Sequence, residues 1–160
     1  MIRGQTGALY FIAGEDDLRY GLKQPWTSLC LDAGELSLDG PLFEPHPHPR
    51  AFGSMPRMLG HYVRDLQLVS LEQAIRKMTS LPAGREGLQD RGLLKQGHFA
   101  DITVFDPEKI RDTATYESPA KPSEGVMYVF VNGQLEYSEG QLTGAQAGRV
   151  LRGPGWKKDN

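Results

Sequence analysis

Asp32 stands near the end of the stretch Gln24 to Gly34, QPWTSLCLDAG, in which an apolar run leads straight into a carboxylate. A structural Asp at such a place caps a turn; a catalytic one stands at the mouth of a sheet and carries a proton. Further on, a proline-interleaved loop ends His46-Pro47-His48-Pro49-Arg50. A planar guanidinium holds a carboxylate through two parallel hydrogen bonds, so Arg50 can anchor an anionic substrate or stand as a solvated loop residue. His46 and His48 lie two residues apart in a stiff loop, and imidazole suits zinc; the same pair can instead shape a pocket and orient Arg50. Cys30 sits within the apolar run with no His near it in sequence, which reads as packing rather than as a nucleophile. Gly133 and Gly140 read as turn glycines, and nothing resembles a phosphate-binding loop or a dinucleotide fingerprint.

The elements that must position these groups are legible in part. Residues 1–14 show no clear period, and Glu15 to Leu22 has acidic residues in its first turn and Gly21 near its end, as a short helix would. Trp26 to Leu31 reads as a strand ending at Asp32, and the four prolines between Ala33 and Arg50 forbid a helix there. Ser54 is a candidate cap for a helix whose apolar face is Met55, Met58, Leu59, Tyr62 and Val63. Ser70 and Gln73 have the spacing of a capping box ahead of a second stripe, Leu71, Ala74, Ile75, Met78 and Leu81, which Pro82 would close; Glu72 and Arg76 would pair on its wet side. His61 and His98 read as structural. After Gly97 the period becomes two: Ala100 to Phe105 and Val126 to Val131 read as strands, and Asn132-Gly133 as the type I′ turn of a hairpin returning over Gln134 to Tyr137. Residues 145–160 read as irregular and frayed at the end.

The 160-residue chain suits one ordinary domain, and with 39% hydrophobic and 24% charged residues it can bury a core. A net charge of −2 argues against a nucleic-acid or anionic-membrane partner. The apolar run Ala8 to Ala13 is too short to span a bilayer and lacks a signal-peptide layout, and a single cysteine fits a reducing, cytoplasmic compartment.

QPWTSLCLDAG, HPHPRAFGSMPRMLGHYVRD, SLEQAIRKMTSLPAGREGLQDRGLLKQGHFADITVFDP, YVFVNGQLEYSEGQLTG and GRVLRGPG together resemble the C-terminal part of the N-acyl-D-amino-acid deacylases (D-aminoacylases) of the amidohydrolase superfamily. GHFADITVFDP alone marks only the superfamily; HPHPRAFG followed by MPRMLGHYVRD points to the deacylase branch. The resemblance implies an α/β fold, a (β/α)₈ barrel with a small β-sandwich. Trp26 to Leu31 would be the last barrel strand, residues 1–91 the C-terminal end of the barrel, and residues 92–160 most of the sandwich.

It also implies zinc-assisted hydrolysis of the amide of a small-molecule N-acyl-D-amino acid. Asp32 would be the catalytic acid–base residue and could contact the metal. Arg50 would hold the substrate carboxylate, with His48 beside it in the substrate-binding loop. The family's metal ligands lie upstream of such a segment, so none of its metal ligands is assigned here, and His46 and His48 take the pocket-shaping role. Met1 to Gly14 fits the family pattern poorly, and Leu31 stands where many relatives carry a small polar residue. A full barrel needs about 250 residues. The chain therefore reads as a truncated portion, inactive and without zinc by itself, that would join the missing barrel portion or self-associate. Two alternatives remain: a non-catalytic fragment or interaction module, and a cyclic amidohydrolase of the dihydroorotase or hydantoinase kind. HPHPR, suited to an open-chain carboxylate, argues against the second.

Overall fold

The computed structural model describes residues 10, 12–34, 36–153 and 155–157. Ala8, Leu9 and Phe11 of the apolar run lie outside them, as do residues 158–160 of the tail expected to fray. Helix α1, Glu15–Lys23, opens with Glu15, Asp16 and Asp17 at the positive end of its dipole. Helix α2, Arg50–Arg57, runs without a break into a π-helical segment, Met58–Asp65. Pro56 lies inside α2 and has no N–H to give, and at the far end the Leu66 amide reaches back five residues to the His61 carbonyl at 2.9 Å. Helix α3, Leu71–Met78, is capped by Ser70, whose hydroxyl accepts from the Gln73 amide at 3.3 Å. Helix α4 is Ser80–Arg85.

The expected apolar faces meet in one core. Met58, Tyr62, Val69 and Ala74 form its buried centre, with Leu22 and Leu29 packed against it. Behind the helices, β1 (Ile102–Phe105), β2 (Val126–Val131), β3 (Gln134–Ser138) and β4 (Gln141–Leu142) make an antiparallel sheet in chain order. The β2–β3 hairpin turns at Asn132 and Gly133, with φ of 49° and 83°, the positive pair that a type I′ turn demands. Val129 pairs with Tyr137 across it.

Four local expectations are corrected. Trp26 to Leu31 is in no sheet among the described residues, because no strand lies beside it to share a ladder. Ser54 caps nothing: α2 already begins at Arg50, and the Ser54 hydroxyl donates back to the Arg50 carbonyl at 2.9 Å. Pro82 does not end a helix but lies in the first turn of α4, where a missing amide costs nothing. Arg76 leaves Glu72 and donates instead to the Pro25 carbonyl at 2.9 Å; the Glu72 carboxyl is held below the usual range by its own amide and by Ser70.

The helices and the sheet meet at Gly60. A Cβ there would collide with the Ile110 carbonyl oxygen, and Ile110 is 2% exposed. Neither partner can give, since one is backbone and the other a packed helix. Gly60→Ala should therefore destabilise the chain by about 1–3 kcal/mol, read as a lower urea midpoint at unchanged slope; an unchanged midpoint would show that the helix slides freely.

Candidate active site

Asp32 ends a segment held from behind by cations rather than by neighbouring strands. Lys77 of α3 is 2% exposed; its ammonium donates to the Gln24 carbonyl, to the Thr27 carbonyl at 3.1 Å and to the Thr27 hydroxyl at 2.9 Å. Arg76 holds the Pro25 carbonyl, and Arg85 of α4 holds the Trp26 carbonyl and the Ser28 hydroxyl. The Leu29 amide closes onto the Lys77 carbonyl at 3.3 Å. Burial, then the charges of Arg76 and Arg85, push the Lys77 ammonium below the usual lysine range. Three residues beyond Leu29 the backbone turns through the left-handed region at Asp32, φ 47°. Asp tolerates that conformation better than most residues.

The turn brings Asp32 to Arg50. One carboxylate oxygen lies 2.9 Å from an Arg50 terminal nitrogen, with side-chain exposures of 82% for Asp32 and 41% for Arg50. Arg50 is the first residue of α2 and follows Pro49, whose fixed φ favours a helix start. Its amide is one of the donors a helix N-terminus leaves without a partner, and His48 Nδ1 accepts it at 3.1 Å. The His48 ring, half-buried, packs edge-on against Tyr116 with centroids 5.4 Å apart. Burial first, then the Arg50 charge, holds His48 below the ordinary histidine pKa. His48 therefore caps, through its ring nitrogen, the first amide of the helix that carries Arg50.

His46 and Cys30 are exposed; the burial expected of Cys30 fails because no second layer covers its segment. His61 packs edge-on against Tyr62 at 4.9 Å, a structural contact. Among the described residues no group of three or more His, Cys, Asp or Glu could hold a metal ion. The residues present thus do not fit a zinc site. The apolar groove between the helices and β1, lined by Met55, Leu59, Ile75, Met78, Ile102 and Phe105, lies apart from Asp32 and Arg50.

Residues 36–137, most of the chain, match the model of the amidohydrolase family. The chain belongs to this family. Among its relatives, a D-aminoacylase of Alcaligenes xylosoxydans xylosoxydans is 45% identical over 91% of this chain and 29% of its own length. A crystal structure of D-aminoacylase, described as defining a novel subset of amidohydrolases, superposes with a TM-score of 0.74 at 42% identity, over 89% of this chain and 28% of that one. N-acyl-D-glutamate deacylase from Bordetella bronchiseptica, complexed with zinc and a phosphonate mimic of the tetrahedral intermediate, is 43% identical with a TM-score of 0.57, over 62% of this chain and 23% of that one. The chain thus spans less than a third of the relatives it matches, and its structure is that of an amidohydrolase α/β fold in part. No helix among the described residues is long and apolar enough to cross a membrane.

Two residues of this candidate site were not foreseen. Tyr116 comes from the connection between β1 and β2, and no spacing links it to His48. Lys77 carried a signal: it stands three residues after Ala74, inside the apolar stripe of α3, where an ammonium is out of place. The His48 ring supplies the test. Its fold-lowered pKa means that its stabilising contribution is in place above about pH 6.5 and is lost as pH falls through the lowered value. An NMR titration should place the ring midpoint below 6.5, with the Arg50 amide resonance moving at the same midpoint, because a protonated Nδ1 no longer accepts. A midpoint above the ordinary value, or an Arg50 amide indifferent to it, would contradict the contact.

Proposed function

We propose that the chain is the C-terminal portion of a zinc-dependent N-acyl-D-amino-acid deacylase, with residues 1–91 the end of the barrel and residues 92–160 a β-sandwich module. The observation that carries this reading is the meeting of Asp32 with Arg50 at 2.9 Å. The reaction needs both groups within one substrate length. An N-acyl amino acid presents a free carboxylate next to its amide; Arg50 binds that carboxylate through its fork. Asp32 takes the proton of the attacking water and delivers it to the leaving nitrogen, so that a carboxylate and a free D-amino acid depart. His48 fixes the helix start on which Arg50 stands. The zinc of the complete enzyme would take its ligands from outside these residues. The relatives named above carry deacylase activity in their names, which supports the same substrate class.

In the complete enzyme, Asp32→Asn should lower kcat by about 10²–10⁴-fold, because an amide of the same shape carries no proton. Near-normal kcat would remove Asp32 from the mechanism. Arg50→Lys keeps the charge and loses the fork, so KM for N-acyl-D-amino acids should rise more than kcat falls; an unchanged KM would show that the carboxylate is held elsewhere.

The 160-residue chain by itself should retain no stoichiometric zinc after dialysis and hydrolyse no N-acyl-D-amino acid. Elemental analysis with a deacylation assay decides this, and bound zinc with turnover would make the short chain a complete enzyme.

A further inference from the structure

We propose that Lys77 is a positioning residue for Asp32, tying the segment Gln24–Thr27 to α3 so that the turn at Asp32 is presented to Arg50 in one place. The catalytic role of Asp32 rests on the deacylase reading; the tie itself does not. A lysine that only filled the stripe of α3 would send its head to water. Lys77 instead keeps its ammonium inside, at 2% exposure, and its hydrogen-bond partners are all oxygens of this one segment: the carbonyls of Gln24 and Thr27 and the Thr27 hydroxyl. The same residue also holds the segment from the other side of Thr27, since its own carbonyl takes the Leu29 amide at 3.3 Å. Arg76 and Arg85 add the Pro25 and Trp26 carbonyls, but they lie exposed at the rim. Lys77 is the buried member of the three.

Position passes from Lys77 to the site through a short, defined path. Leu29 packs against the buried core cluster, two residues follow, and Asp32 turns at φ 47° with its carboxylate on Arg50. With an 82% exposed side chain, Asp32 has little packing of its own to fix it, so the direction of the backbone behind it sets where the carboxylate points.

The experiment has two arms. The first is hydrogen exchange of the 160-residue chain, wild type against Lys77→Met, which keeps the stem and removes the donors. The Thr27 and Leu29 amides, bonded to the Gln24 carbonyl at 3.4 Å and the Lys77 carbonyl at 3.3 Å, should exchange about tenfold faster or more, while those of Tyr62 and Ala74 stay unchanged. Unchanged exchange at Thr27 and Leu29 would overturn the proposal. Where Lys77→Met does not fold, Thr27→Val decides: it removes the hydroxyl that accepts from Lys77 and that also donates to the Gly21 carbonyl at 2.8 Å and the Gln24 carbonyl at 3.1 Å, so exchange at the same amides should rise severalfold, and no rise there overturns the proposal.

The second arm is a double-mutant cycle in the complete deacylase. Lys77→Met should lower kcat by about 10²-fold with KM changed less than about twofold, since small misplacements of a reacting group cost that much. In the Asp32→Asn background the same substitution should change kcat less than about twofold, because the group it positions no longer works. Full additivity would show a merely structural role and overturn the proposal. A wild-type enzyme inactive on N-acyl-D-amino acids, with the exchange result intact, would overturn the deacylase reading while upholding the tie.

Discussion

The carbonyls from Gln24 to Thr27 have no strand beside them, and four unpaired carbonyls near a core would make the segment costly to bury. Cationic side chains of α3 and α4 take over the work of a sheet. Burying the Lys77 ammonium costs several kcal/mol of hydration. Each hydrogen bond made by a charged donor returns about 1.5–3 kcal/mol, and the ammonium makes three. The two sides depend on each other: without the ammonium the Thr27 carbonyl loses its donor, and without the acceptors the buried charge is left uncompensated. The placement of Asp32 thus depends on α3, and α3 on its Ser70 cap and on Ala74, which is wholly buried.

The same device recurs at the other end of the helix run. The Arg64 guanidinium collects the carbonyls of Ile110 at 2.9 Å, Glu108 at 3.2 Å and Pro107 at 3.3 Å, and Arg57 pairs with Asp112 at 3.2 Å. Arg91, in the loop between α4 and β1, joins Asp101 and Asn132 and lies over the Phe99 ring, so that loop fixes the turn of the hairpin. Residues 50–65 carry Arg50 at their first position and Arg64 near their last. The helical run that presents the candidate substrate arginine therefore also seats the β sheet. A shift of the sheet would be felt at Arg50 through the helix, and through Tyr116 packed on His48.

Local signals in the sequence were reliable where local physics decides. Asn132-Gly133 can be little other than a tight hairpin turn, and the stripe through Met58 and Tyr62 forms the core as its spacing requires. Signals failed where a distant partner decides. The run Trp26 to Leu31 has strand composition, but composition cannot report whether a neighbouring strand is there to pair with. Cys30 is exposed for the same reason. The helix start at Arg50 rather than near Ser54 depends on a histidine acting as acceptor for a backbone amide, which no residue-type preference announces. Of the candidate site, Asp32, Arg50 and His48 were legible from chemistry and motif. Tyr116 was not, and Lys77 was visible only as a charge out of place.

The Asp32–Arg50 pair also bears on how such a site can both rest and react. If, as proposed, Asp32 carries the proton and Arg50 anchors the substrate carboxylate, a strong ion pair between them would oppose catalysis, because substrate would have to break it. With most of Asp32 and two-fifths of Arg50 open to water, the pair belongs to the class worth at most about 1 kcal/mol. A substrate carboxylate offering two oxygens to the guanidinium fork replaces one oxygen of Asp32 with a better match, at a cost smaller than tenfold in affinity. On the proposed reading, the exposed carboxylate released by that exchange would remain beside the bound substrate, because the backbone behind it is tied to α3. Weak pairing at the surface and firm anchoring from behind are thus complementary: the first leaves both groups available, and the second keeps their separation defined.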